Sequence, residues 1–125
     1  MAKKICTVVG VVFLLVGVAG FAMPHLLGTH LMLTHNLVHL VSGALALYLG
    51  LRGSEGAART FCLAFGAVYL LLGLVGFALG SGSEHMLSLI PDQLMLGTMD
   101  HAVHVLIGVL FLVGGVTSRR EPALA

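Results

Sequence analysis

The sequence predicts an all-α integral membrane protein, a four-helix bundle built from two parallel-repeat helical hairpins. Three observations predict it. First, 58% of the 125 residues are hydrophobic and only 9% are charged, against about 25% charged in soluble domains. Second, four apolar stretches each come near the roughly 20 residues that a helix needs to cross a bilayer core. Third, the chain repeats itself, hairpin on hairpin. The composition excludes a soluble enzyme domain, a disordered regulator and a disulfide-stapled secreted module. A net charge of +1 leaves no basic face for nucleic acid. The period-two alternation of barrel strands is absent.

Residues 1–125 read as a single transmembrane domain. The expected spans cover residues 5–22, 32–51, 60–79 and 99–117, joined by short connections rich in Gly, Ser and Pro. Pro91 followed by Asp92 resembles a helix start, so the fourth span is expected to carry an interfacial leading turn. His85 and Met86, just before it, are expected to be solvated. All six basic residues fall on one side: Lys3, Lys4, Arg52, Arg59, Arg119 and Arg120. The positive-inside rule then puts both termini in the cytoplasm, as for a multi-pass protein of the bacterial inner membrane. The competing reading of the N-terminus is a cleavable signal peptide, with Lys3 and Lys4 before the apolar core and Gly20-Phe21-Ala22 as the cleavage site.

The repeat argues against that competitor. A shift of 56 residues lays Cys6, Gly10, Gly17 and Gly20 on Cys62, Gly66, Gly73 and Gly76. A shift of 65 lays His39 and Gly43 on His104 and Gly108. Leu, Val and Gly matches arise easily in membrane sequences, but paired Cys and His do not. Repeat one covers 3–51 and repeat two covers 59–117. Each has two spans, so the copies enter from the same side and are expected to be related by an axis along the membrane normal. The eight glycines at 10, 17, 20, 43, 66, 73, 76 and 108 are expected to be helix-packing positions, because lipid supplies no hydrophobic drive and close backbone approach must substitute.

The polar chemistry lies at the other end. All seven histidines (His25, His30, His35, His39, His85, His101 and His104) fall in the outer connections or the outer parts of spans two and four. Five of the six methionines join them: Met23, Met32, Met86, Met95 and Met99. His35 and His39 are four apart and share a helix face, as do His101 and His104 at three apart. A glycine follows each deeper histidine by four residues, and His39 and His104 are mates in the repeat. These four histidines are the candidate cofactor or metal ligands, with Asn36 and Asp100 as groups able to orient a ring. Three readings stand: interfacial hydrogen bonding, a haem b or copper site, and a proton or ion path. The spacing lacks the Glu of a metalloprotease motif, and no nucleophile accompanies Asp100, so no catalytic residue is expected. Cys6 and Cys62 are expected to be free thiols near the cytoplasmic surface.

The two histidine segments, Asn36-Leu37-Val38-His39-Leu40-Val41-Ser42-Gly43 and His101-Ala102-Val103-His104-Val105-Leu106-Ile107-Gly108, resemble a family of small uncharacterised bacterial four-helix membrane proteins with a repeated Asn/Asp-x-x-His-x-x-x-Gly motif. The second copy departs at its first position, although Asp100 precedes it. The resemblance implies no activity, but it singles out His39 and His104. The expected role is therefore non-enzymatic: an accessory subunit of other membrane proteins or a homo-oligomer in the lipid bilayer, with a haem- or copper-binding protein as the alternative.

Overall fold

The chain, seen in a computed structural model, is described over residues 1–118, so Arg119 and Arg120 of the orientation argument lie outside the described residues. Four helices carry it: α1 Ala2–Ala22, α2 Leu33–Arg52, α3 Glu55–Leu79 and α4 Thr98–Thr117. Three of them, α1, α3 and α4, are long and apolar enough to cross a membrane. The 20-residue α2 is as long as α4. Its hydropathy is lowered by Thr34, His35, Asn36, His39 and Ser42. Of these, all but Thr34 are buried, and the side chains that α2 exposes include Leu33, Leu37, Val41, Leu45 and Leu51.

Local chemistry sets the helix ends. The Ser54 hydroxyl accepts from the Ala57 N–H at 3.0 Å and caps α3. The first outer connection reverses at Leu27 and Gly28, both left-handed with φ of 52° and 81°, and glycine takes the second of these without steric cost. The second outer connection departs from expectation. Instead of a leading helical turn, Pro91 and Asp92 form the tip of a β-hairpin between β1 (Leu87–Ile90) and β2 (Leu94–Leu96). Gln93 N–H donates to the Ile90 carbonyl at 3.0 Å, and Asp92 has φ 59°. Proline followed by a left-handed residue is the order of a type II turn, and the flanking leucines supply the ladder. The helix start lies later, where Gly97 N–H donates to Asp100 Oδ2 at 2.9 Å, one half of a capping box.

Packing follows the glycines. A Cβ on Gly10 of α1 would stand 2.7 Å from Leu47 N and 2.9 Å from Gly43 O of α2. A Cβ on Gly66 of α3 would stand 2.9 Å from Leu112 N and 3.1 Å from Gly108 O of α4. Gly17 lies against Leu40 and the Asn36 carbonyl, and Gly73 against Val105 and the His101 carbonyl. Gly20 faces the Asn36 side chain, and Gly76 faces the His101 ring. All eight glycines are buried. Thus α1 packs along α2, and α3 along α4, with lesser contact between the two pairs. A central layer of Phe13, Phe61, Tyr69 and Phe111 joins the pairs, and Ala2, Cys6, Ala58 and Cys62 fill the end that carries Lys3, Lys4, Arg52 and Arg59.

Candidate metal centre

His39 lies six residues after Leu33, the first residue of α2, and His104 lies six after Thr98, the first of α4. Both are therefore about 9 Å inside their helices at 1.5 Å per residue. One turn closer to the rim, His35 stacks obliquely on His39 with ring centroids 4.3 Å apart, and its ring centre is 5.8 Å from that of His104. A ligating nitrogen of each of the three lies within 4.8 Å of the other two. All are buried, at 4%, 7% and 3% exposure for His35, His39 and His104.

The cluster has an aromatic floor and a leucine-rich roof. Phe13 packs 5.2 Å from His39, and Tyr69 packs 5.5 Å from His104. Phe111 closes the layer below, 6.4 Å from Phe13. Above, the outer connections contribute buried Leu31 and Leu96. On one side the three rings line a largely apolar cavity of about 210 Å³, together with Val16, Leu27, Met99 and Val103. On the other they line a void of about 50 Å³ roofed by Leu89, Leu94 and Leu96 of the β-hairpin.

The hydrogen bonds decide which nitrogens are available. His35 Nδ1 donates to the His30 carbonyl at 2.9 Å. A carbonyl only accepts, so in the neutral ring the Nε2 lone pair of His35 is bare, the tautomer a metal requires. The buried Nδ1 atoms of His39 and His104 have no hydrogen-bond partner among the described residues. Buried polar atoms are nearly always paired; His101 Nδ1 and Asn36 Oδ1 are unpaired too among the described residues, but only the rings of His39 and His104 also converge on a third, that of His35.

Asp100 positions this arrangement at one remove. Its carboxylate, 2% exposed, accepts from the His30 N–H at 3.0 and 3.2 Å and lies 3.3 Å from His30 Nδ1. It also accepts from Gly97 N–H. His30 is thereby pinned, and its carbonyl holds His35. Asp100 thus connects to His35 only through the backbone of His30. Sequence reading missed His30 as the intermediary because 70 residues separate it from Asp100.

The other named residues go elsewhere. Asn36 Nδ2 donates to the Leu31 carbonyl at 3.3 Å and steadies the connection. His101 is fully buried, but its Nε2 donates to the His85 carbonyl at 2.7 Å and its ring lies 5.3 Å from Phe77 on α3. Three residues along α4 turn the side chain by about 300°, so His101 faces α3 while His104 faces the centre. His85 and Met86 are half-buried, against the expectation of solvation, because the carbonyl of His85 is the acceptor for His101. His25 stays exposed at the rim, its ring 5.6 Å from His30.

No curated protein and no solved structure matches the chain. A family model does, over residues 3–117, and its description is a domain of unknown function, DUF4383. With four helices, three of them long and apolar enough to cross a membrane, and a match over nearly its whole length, the chain belongs to that uncharacterised family.

Proposed function

We propose that this protein binds a late first-row transition-metal ion within the membrane, held by His35, His39 and His104. The observation that carries the reading is the convergence of three buried imidazoles whose ring nitrogens are bare or lack a protein partner. Imidazole suits zinc and copper, and Met99 on the cavity wall offers a soft thioether that favours copper. The buried Asp100 carboxylate adds negative charge near the site and, through His30, fixes one ligand. Three protein ligands leave a coordination position open toward the cavity.

Several facts support an ion over a haem. A haem takes two axial ligands, whereas three imidazoles converge here, their ligating nitrogens within 4.8 Å of one another. The adjoining cavity, about 210 Å³, is smaller than the roughly 300–1,000 Å³ of ordinary ligand pockets. The layer of Phe13, Tyr69 and Phe111 beneath the rings favours binding over a proton or ion path. The eight packing glycines are buried within this chain's own helix pairs, so they lend an assembly role no support.

The same reading has α2 cross the bilayer as a fourth span, with its polar residues turned inward. The equivalence of Gly10–Gly43 with Gly66–Gly108, and of Gly20–Asn36 with Gly76–His101, supports descent from one duplicated hairpin. The basic end then faces the cytoplasm and the metal site faces outward, in a bacterial inner membrane. The test is metal analysis of protein purified without a histidine tag, followed by copper and cobalt titration. One ion per chain is expected, and chains that neither carry nor take up stoichiometric metal would overturn the reading.

A further inference from the structure

At the basic end, on the seam between the two helix pairs, Cys6 of α1 and Cys62 of α3 face each other with Sγ atoms 3.7 Å apart. They are the only cysteines in the chain, and both are fully buried. Their surroundings are reciprocal. Cys6 Sγ lies 3.9 Å from the Ala58 carbonyl, one turn before Cys62, and Cys62 Sγ lies 3.8 Å from the Ala2 carbonyl, one turn before Cys6. Ala2 and Ala58 are themselves fully buried. Their small side chains let α1 and α3 approach where a larger residue would hold the thiols apart.

We infer that Cys6 and Cys62 form a dithiol that a hydroperoxide closes to an intramolecular disulfide, tying α1 to α3. The thiols need close only from 3.7 Å to about 2.05 Å. The chemistry balances with hydrogen peroxide, small and neutral enough to enter a packed interface. One thiol, as thiolate, attacks a peroxide oxygen and breaks the O–O bond, giving a sulfenic acid and one water. The second sulfur then attacks the sulfenic sulfur, forms the S–S bond and releases the second water. The dithiol loses two electrons and two protons, and the peroxide is reduced to two waters. Exchange with a small dithiol restores both thiols.

The site also sits where a link would matter. Contact between α1 and α3 is slight beside that within each helix pair, and a bond between Cys6 and Cys62 would close a loop spanning both pairs. At the cytoplasmic end of the proposed topology the resting state is reduced, so the bond would mark exposure to oxidant.

The experiment treats the full-length protein in detergent and in liposomes with a few equivalents of hydrogen peroxide. It then blocks free thiols with a maleimide under denaturing conditions and reads the intact mass and peptide map. The expected result is a loss of two mass units, no maleimide addition, a Cys6–Cys62 linked peptide, and reversal by dithiothreitol. Cys6→Ser and Cys62→Ser should each keep one alkylatable or over-oxidised sulfur and form no such link. Two maleimides on the peroxide-treated wild type, sulfinic acid without cross-linking, or disulfides only between separate chains would each overturn the proposal, whatever either variant does.

Discussion

Replacing His39 with Ala removes one imidazole from a set of three and leaves His35 and His104 in place. The structure puts ligating atoms of all three within 4.8 Å of one another, so each should contribute similarly. Four-ligand structural zinc sites bind with about 10–16 kcal/mol, or about 2.5–4 kcal/mol per ligand. At about 1.4 kcal/mol per factor of ten, losing one ligand should weaken binding by roughly 100-fold to 1,000-fold. Competitive titration of cobalt or copper against a chromophoric chelator, in detergent at fixed pH, reads this range. The contrast that gives the series its force is His101→Ala. It is equally buried and only three residues from His104, but its Nε2 is bonded to the His85 carbonyl and its ring packs on α3. That variant should keep near wild-type affinity while losing stability. Equal losses from His39→Ala and His101→Ala, or no loss from His35→Ala, His39→Ala and His104→Ala alike, would refute the reasoning.

Asp100→Asn keeps the shape but replaces a carboxylate oxygen that accepts from His30 and Gly97. Metal affinity should fall by about 10-fold to 100-fold, the usual range for a group that orients a ligand, and unchanged affinity in a folded variant would remove Asp100 from the positioning role. Gly66→Ala would push a methyl against the Leu112 N and Gly108 O backbone atoms and should cost about 1–3 kcal/mol in reversible denaturation. Ala67→Leu, on the exposed face of the same helix, should stay within about 0.5 kcal/mol, and equal effects of the two would contradict the seam. With Cys6 and Cys62 replaced by Ser, single cysteines at Arg52 and Ser83 should react with an impermeant maleimide from opposite sides of the membrane. Labelling from one side would contradict the crossing of α3.

Much of the scaffold was legible in the sequence because it depends on local rules. Apolar run length and glycine spacing located the four helices to within a few residues, and all eight glycines picked for packing lie in helix seams. The hairpin at Leu87–Leu96 was missed because Pro91-Asp92 suits both a helix start and a turn. The leucines and Met95 around that pair decide it only once Leu96 finds a burial site over the bundle. For the site, His35, His39 and His104 were among four histidines chosen by helical spacing. His101 differs from His104 by a small rotation around α4, and only the packing partner on each side separates them. The tie from Asp100 through His30 to His35 joins residues far apart in sequence, and no pattern along the chain records it.

The most direct test of the metal site is X-ray absorption at the zinc edge of the zinc-loaded protein, prepared without a histidine tag. The account predicts one zinc per chain with three imidazole nitrogens at about 2.0–2.1 Å, a shell lost when His35, His39 and His104 are replaced together and retained in His101→Ala. A shell of oxygen atoms alone, or an imidazole shell that survives the triple replacement, would contradict it.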